Sequence, residues 1–322
     1  MQPQPSLLQP QNAVRGTCFA LATFLSTALI GVVVKWLPAD TPSTTIGFFQ
    51  FCIALLLTCP WALKRAPTLA QPGGLQNLKT RRLALHLLRS ISGLFPHLLF
   101  YVAIVYVPLV DANLLLSAAP IWVPLLLLVC LRQVVVRALW VSTLVGLIGV
   151  GCILHPHLQS FNRGAIYGLA SGIMLATALI TVRVLARTEP PARQLFYYAL
   201  VSTLICFPLM VLKRQPMPVQ ALLLLCSVGL LLFSQQFFLV QALRYIDAGL
   251  LSPMSYFTIV FAGLFGWLLW SETPDIRTFI GVVLVLCSSL LAVLTGRRQE
   301  AAEMRSSTGR IICQQGSGRS DL

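Results

Sequence analysis

The chain has 322 residues, of which 57% are hydrophobic and only 10% are charged, and its mean hydropathy is +0.82. A soluble globular domain carries about 25% charged residues, so this composition excludes an ordinary soluble domain and indicates an integral membrane protein. The formal charge of +14 does not indicate nucleic-acid binding, because the basic residues lie mostly in short connecting segments and in the C-terminal tail.

The nine cysteines form no Cys-x-x-Cys pair and no cluster with histidine. Eight of them lie inside apolar runs, so we expect small packing residues rather than a disulfide framework or a metal site. The sequence also has no nucleophile elbow, no glycine-rich phosphate loop and no Walker motif. We therefore expect no enzymatic activity and no cofactor.

Ten apolar runs are each about 20 residues long, which is the length that a helix needs to cross a bilayer. The predicted fold is an all-α integral membrane bundle. A polar cytoplasmic N-terminal tail (1–16) precedes the bundle, and a disordered cytoplasmic tail (296–322) follows it. The predicted spans are residues 17–37, 44–63, 84–106, 111–131, 136–154, 164–186, 195–212, 218–243, 248–270 and 277–295.

The distribution of Lys and Arg between the connecting segments predicts the orientation of the chain. With a cytoplasmic N-terminus, 17 of these residues fall on the cytoplasmic side and 5 fall on the other side. We therefore predict that both termini are cytoplasmic and that the protein is a multi-pass component of the inner, or plasma, membrane.

The second half of the chain repeats the first half in the same order. The clearest match is between two hairpins of apolar runs, residues 89–133 and 228–272. Further matches pair Arg15-Gly16 with Arg163-Gly164, Lys35 with Arg183, and PWALKR (60–65) with PLMVLKR (208–214).

Each repeat contains five spans, and five is an odd number. The second repeat must therefore be upside down relative to the first, which predicts two inverted five-helix repeats, residues 17–155 and 164–295. Inverted repeats are typical of secondary transporters, whose substrate site lies between the halves near the midplane of the membrane.

Several motifs in this apolar region have a specific order and spacing. They are Arg89…Gly93…Tyr101-Val-Ala103, Ala118-Ala-Pro120-Ile-Trp-Val, and the run from Phe261 to Glu272 that ends in Ser-Glu. In these motifs the chain resembles the drug/metabolite transporter superfamily, specifically its ten-helix EamA-type members. The chain departs from the family pattern at two positions. Gln133 lies where the first repeat usually has Glu, and Ile259 lies where the second repeat usually has Pro. The first departure weakens any role for a glutamate after the fourth span.

The resemblance implies transport of a small polar organic metabolite by alternating access. Within the superfamily, the chain is similar to the branch that includes S-adenosylmethionine carriers, so S-adenosylmethionine or a related metabolite is the leading substrate hypothesis. One alternative is an exporter of amino acids or drugs on the same fold. An alternative of another class is a non-transporting membrane scaffold subunit.

Arg89, Gly93 and His97 share one face of the third span. The functional hypothesis is a cavity lining in which Arg89 binds a carboxylate or phosphate; the alternative is that Arg89 snorkels to the cytoplasmic surface. His97 is predicted to share a polar midplane site with Gln236, its counterpart in the second repeat. Its alternative is a buried histidine hydrogen-bonded to a neighbouring helix.

Other predicted substrate-binding side chains lie on matching stripes of the fourth and ninth spans and on the seventh and eighth spans. Serine and asparagine also join helices by hydrogen bonds inside membranes, so each of these residues has a structural alternative. They are Asn113, Ser117, Gln235, Ser252, Ser255, Tyr256 and Tyr197.

None of the nine acidic residues falls near the middle of a predicted span, where proton- or sodium-coupled carriers often keep a carboxylate. We therefore predict exchange or facilitated flux. The expected partners are a small-molecule substrate and membrane lipids, without nucleic acid. Gly146, Gly149 and Gly151 on the fifth span leave two alternatives open, packing within the bundle or a homodimer.

Overall fold

The computed structural model describes residues 13–38, 41–63, 78–106, 119–132, 136–154, 163–212, 218–271, 276–277, 279–292 and 294–295. All regular structure in these ranges is helical. In chain order the helices are α1 (Ala13–Lys35), α2 (Ser43–Leu63), α3 (Leu83–Tyr106), α4 (Ala119–Leu131), α5 (Arg137–Leu154), α6 (Arg163–Ala186), α7 (Pro191–Leu212), α8 (Val219–Tyr245), α9 (Ala248–Met254), α10 (Phe257–Trp270) and α11 (Phe279–Ala292).

Six helical stretches in the described part of the chain are long and apolar enough to cross a membrane, with α9 and α10 counted as one stretch. Their ends lie within about one helical turn of the predicted span ends. The all-α membrane fold predicted from hydropathy is therefore confirmed. The predicted tails, residues 1–12 of the first and all of 296–322, lie outside the described residues.

The helices pack in a pattern that relates the two halves of the chain. Helix α1 packs along α8, as α3 packs along α6, and α2 packs on α7. Helix α4 contacts α6, as α10 contacts α1. When each of the first five spans is replaced by its counterpart among the second five, the α1–α8 contact becomes the α3–α6 contact and the α4–α6 contact becomes the α1–α10 contact. The α2–α7 contact maps onto itself. The pattern fits the predicted internal repeat, and the inverted orientation of the second repeat stays a prediction.

The main hydrophobic cluster joins α1, α4, α6, α8 and α9. Ala20, Val123, Leu243 and Met254 are buried members of it. Burying a side chain as large as that of Leu243 or Met254 contributes about 1.5–3 kcal/mol in water, but in a bilayer close packing has to supply the attraction between helices. Small residues at helix contacts therefore matter more here than in a soluble core.

The two ends of the bundle can be told apart by their contacts. At one end α6 and α8 finish, and Arg183 of α6 donates a hydrogen bond to the carbonyl of Leu243 in the last turn of α8. We call this the inner end, because the predicted topology places it in the cytoplasm. At the outer end, Lys35 of α1 lies 4.0 Å from the centroid of the Trp270 ring of α10.

The ninth span consists of two helices, although it was predicted as one apolar run. Pro253 has no N–H, so the carbonyl of Gly249 loses its usual helical partner. The hydroxyl of Ser252 donates to that carbonyl instead, at 3.1 Å. The chain continues through a tighter turn, in which the N–H of Ser255 donates to the Ser252 carbonyl at 3.1 Å, before α10 begins.

The structure describes the surroundings of the three glycines of α5, for which the sequence left packing within the bundle or a homodimer open. A Cβ on Gly146 would lie 2.3 Å from Cε2 of Tyr256, and a Cβ on Gly149 would lie 2.8 Å from the carbonyl oxygen of Gly281. Both positions therefore pack within the bundle. A Cβ on Gly151 would meet nothing within 4 Å, and the homodimer stays a prediction.

Candidate functional site

Arg89 lies inside the bundle, where α3 meets α7 and α8, and is 2% exposed. Its Nη1 donates to the backbone carbonyl of Gln194 at 2.7 Å, and its Nη2 donates to Oε1 of Gln236 at 3.1 Å. The guanidinium carbon lies 4.7 Å from the centroid of the Tyr198 ring, which is a cation–π distance. This burial contradicts the alternative in which Arg89 snorkels to the surface.

The partners of Arg89 in the described part of the chain are all neutral. Its Nε is buried without a hydrogen-bond partner. The ion pairs formed among the described residues join Arg183 to Asp247 and Arg193 to Glu189, so no carboxylate in these ranges compensates Arg89. A buried cation without a counter-ion is costly inside a membrane, and an anionic ligand would offset that cost.

Gly93 allows this arrangement because it lies one turn beyond Arg89 on the same face of α3. A Cβ at position 93 would lie 2.8 Å from Cε2 of Tyr198, which is closer than van der Waals contact permits. Glycine therefore lets the Tyr198 ring lie against α3 and alongside the guanidinium. Phe51 of α2 packs edge-to-face on that ring, with centroids 5.3 Å apart, and so holds it in place.

His86 belongs to the same region and was missed by the sequence analysis. It is 1% exposed, and no described residue forms a hydrogen bond with either of its ring nitrogens. Its ring lies 4.6 Å from the ring of Tyr197. The available signal was its spacing, because residues 86, 89 and 93 follow the i, i+3, i+7 pattern of one helical face.

Tyr197, whose role in substrate binding stays a prediction, is bonded to the segment that precedes α3. Its hydroxyl donates to the carbonyl of Leu78 at 2.8 Å. Nearby, the Thr80 hydroxyl donates to Oε1 of Glu189 at 2.7 Å, and Arg193 pairs with the same carboxylate. These bonds connect the start of α3 to the turn between α6 and α7.

The predicted residues of the ninth span bond to backbone groups. The Ser255 hydroxyl donates to the Ser252 carbonyl at 2.7 Å, and the Tyr256 hydroxyl donates to the Thr143 carbonyl of α5 at 3.3 Å. Tyr256 is 1% exposed, and Ser252 is fully buried. Their described contacts are those of packing residues, and their role in substrate binding stays a prediction.

The structure thus brings Arg89 and Gln236 together from the predicted set. Gln235 lies beside Gln236 on α8 and has a buried Oε1 without a partner. Gln194 and Tyr198 complete the surroundings of Arg89, and the sequence analysis had not identified Gln194. The remaining predicted residues lie outside the described part: Asn113 and Ser117, and the side chain of His97 on α3.

Known proteins resemble the chain over nearly its whole length. The pseudopaline exporter CntI of Pseudomonas aeruginosa (strain UCBPP-PA14) is 28% identical over 85% of this chain and 94% of its own. The S-adenosylmethionine uptake transporter of Rickettsia prowazekii is 24% identical over 91% of this chain and 97% of its own. The riboflavin transporter of Vibrio cholerae is 26% identical over 86% of this chain and 92% of its own.

A solved crystal structure has the same fold. It superimposes with a TM-score of 0.72 over 88% of this chain and 98% of its own, at 18% sequence identity. The sequence pattern of the EamA-like transporter family matches two segments, residues 14–155 and 162–294. The resemblance to EamA-type transporters is therefore confirmed, and this chain, a multi-pass membrane protein, belongs to the EamA-like transporter family.

Proposed function

We propose that this chain is a secondary transporter that moves a small polar metabolite, carrying a carboxylate or phosphate group, across the cytoplasmic membrane by alternating access. The observation that carries the proposal is Arg89, which is buried at 2% exposure and bonded only to neutral groups in the described part of the chain. A guanidinium presents several N–H donors in a planar fork, and this geometry matches both a carboxylate and a phosphate group.

The bonds of Arg89 also suggest how binding could drive movement. They join α3 to the backbone of α7 at Gln194 and to the side chain of Gln236 on α8. An anion that competes for these donors would loosen contacts between three helices. A ligand shifts a conformational equilibrium only by binding its two states unequally, and the loss of these contacts on binding would provide such a difference.

The relatives support a small metabolite as the substrate, but they are named for different metabolites. S-Adenosylmethionine or a related metabolite is the leading hypothesis, in line with the uptake transporter of Rickettsia prowazekii. The pseudopaline exporter supports the second candidate, an exporter on the same fold. The non-transporting scaffold is the alternative that a transport measurement separates from both.

The decisive experiment combines binding with transport. The purified protein is screened by thermal shift against S-adenosylmethionine, S-adenosylhomocysteine, amino acids, nucleotides and sugar phosphates, and each stabilising compound is then tested for uptake by proteoliposomes. A ligand at a hundredfold excess over its Kd adds about 2.7 kcal/mol to the stability of the folded state. We expect one chemical class to stabilise the wild type and the Arg81→Met control, but not Arg89→Met. A folded protein that transports none of the stabilising compounds would favour the scaffold.

Coupling is tested in the same proteoliposomes. We propose exchange or facilitated flux, because the predicted spans hold no carboxylate near their middle. Uptake should therefore proceed without an imposed ion gradient and should accelerate when unlabelled substrate is loaded inside. An absolute requirement for a proton or sodium gradient would contradict this part of the proposal.

A further inference from the structure

A second group of arginines surrounds a cavity at the inner end of the bundle, which we call the inner pocket. Its volume is about 280 Å³. It opens between the start of α3, α4, the end of α6 and the start of α9. Its lining includes Arg82, Arg183, Arg187, Thr188 and Asp247.

The charged groups of the inner pocket do not balance. Arg183 pairs with Asp247, which leaves the positive charges of Arg82 and Arg187 in excess. These two arginines are exposed, and neither forms an ion pair within the described part of the chain. A concave, positively charged surface attracts anions over distances of up to about 10 Å at ordinary salt.

The lining of the pocket also includes a hydroxyl that is unpaired in the described part of the chain. The hydroxyl of Thr188 is buried, and no described residue forms a hydrogen bond with it. Buried polar groups are nearly always hydrogen-bonded in native proteins. An unpaired hydroxyl on a residue that lines a positively charged cavity therefore favours a ligand with acceptor oxygens, toward which the hydroxyl can turn.

We propose that the inner pocket binds a single anionic group, a phosphate or a carboxylate, at the face of the bundle that is predicted to be cytoplasmic. Arg82 and Arg187 supply the charge and charged donors, and the Thr188 hydroxyl supplies a further donor when it turns toward the anion. The anion comes either from the headgroup of an anionic phospholipid or from a free solute. This site is separate from Arg89, which does not line the pocket, and it does not depend on the proposed transport function.

The experiment uses two probes on the full chain. In the first arm, inorganic phosphate is titrated onto delipidated protein in a neutral detergent, and binding is followed by thermal shift. In the second arm, the protein is placed in nanodiscs of phosphatidylcholine with or without phosphatidylglycerol, and retained phosphatidylglycerol is counted by native mass spectrometry. All variants are built on Arg89→Met, which removes the other candidate anion site.

The pocket variants are Arg82→Gln and Arg187→Gln, and the matched control is Arg81→Gln. Arg81 is exposed, neighbours Arg82 and does not line the pocket. We expect each pocket variant to weaken binding about tenfold, because one hydrogen bond to a charged group is worth about that factor, and we expect the control to bind normally. A response to phosphate identifies a free anion, and retention of phosphatidylglycerol alone identifies a headgroup.

Two results would overturn the proposal. If neither phosphate nor phosphatidylglycerol binds to the Arg89→Met parent, the cavity takes no anion. Equal weakening by Arg81→Gln and the pocket variants would mean that the probes respond to the general positive surface. Because the parent already lacks Arg89, either result leaves the proposed transport function untouched.

Discussion

Two arginines are buried in the described part of this bundle, Arg89 and Arg183, and their surroundings differ. Arg183 donates to the Leu243 carbonyl and pairs with Asp247. Arg89 donates to the Gln194 carbonyl in the same way, but its second partner is the neutral amide of Gln236.

The difference lies in the charge of the second partner. Arg183 and its carboxylate form a closed unit that ties the end of α6 to the start of α9. Arg89 ties α3 to α7 and α8 but keeps its charge uncompensated by the described residues. A purely structural tie needs no net charge, since an apolar residue of similar size often stabilises as well as a buried ion pair. The retained charge at Arg89 therefore supports the proposal that this arginine binds an anionic ligand.

The largest expected effect comes from replacing Arg89 by Met. Substrate uptake by proteoliposomes should fall by at least about a hundredfold, because charge-assisted hydrogen bonds worth about 1.5–3 kcal/mol each are lost. The melting temperature should change little, because the substitution also removes a buried and unpaired charge. Arg89→Lys keeps the charge but loses the planar fork, and it should retain part of the activity. An inactive variant that is also unfolded would assign Arg89 to the fold.

The second prediction converts the surroundings of Arg89 into those of Arg183. Gln236→Glu places a carboxylate where Nη2 already donates, so the guanidinium becomes compensated. We expect affinity for the anionic substrate to fall by about tenfold or more, while the melting temperature stays the same or rises. Thermal shift of the purified protein, with and without substrate, measures both quantities.

Gln235→Glu is the matched control for that experiment. It adds the same charge one residue away, on a side chain that does not bond to Arg89. Its buried Oε1 has no partner, so a carboxylate there should lower the melting temperature. If both variants behave alike, Arg89 does not sense the added carboxylate and the comparison fails.

The third prediction concerns Arg183. Arg183→Met should destabilise the protein by about 1–2 kcal/mol, because it removes the bonds to Leu243 and Asp247. The effect stays modest, since the Asp247 side chain is 53% exposed and water compensates its charge. A double-mutant cycle with Asp247→Asn in thermal unfolding should show coupling between the two residues. Additive losses would mean that the pair contributes nothing measurable.

The fold could be predicted from the sequence because a bilayer imposes a simple rule. Each spanning helix needs an apolar run of about 20 residues, and charged residues such as Lys35 and Arg137 lie at the ends of these runs. The tighter turn in the ninth span was also accessible in principle. Pro253 cannot donate to the Gly249 carbonyl, and the preceding Ser252 is a residue type that can take over that bond.

The site was only partly predictable. An arginine within an apolar run attracts attention because it is costly there, and Gln236 followed from the internal repeat. Whether Arg89 would snorkel or be buried depended on the packing of α7 and α8, which helical spacing alone does not determine. Its partner at Gln194 is a backbone carbonyl, and a carbonyl has no sequence signature. His86 was not predicted because it lies in the first turn of α3, away from the midplane where a substrate site was expected.

The smallest expected effect tests the ring beside Arg89. Tyr198→Phe keeps an aromatic face at about 4.7 Å from the guanidinium carbon and should leave substrate affinity unchanged. Tyr198→Leu removes that face, and cation–π contacts of this kind are worth about 0.5–2 kcal/mol, so affinity should fall several-fold. The ring favours the charged arginine without neutralising it, which would leave the guanidinium available to an anion in a way that the carboxylate beside Arg183 does not. Equal affinities for the Phe and Leu variants, measured by thermal shift against the same substrate, would show that Tyr198 serves only to fill space against Gly93.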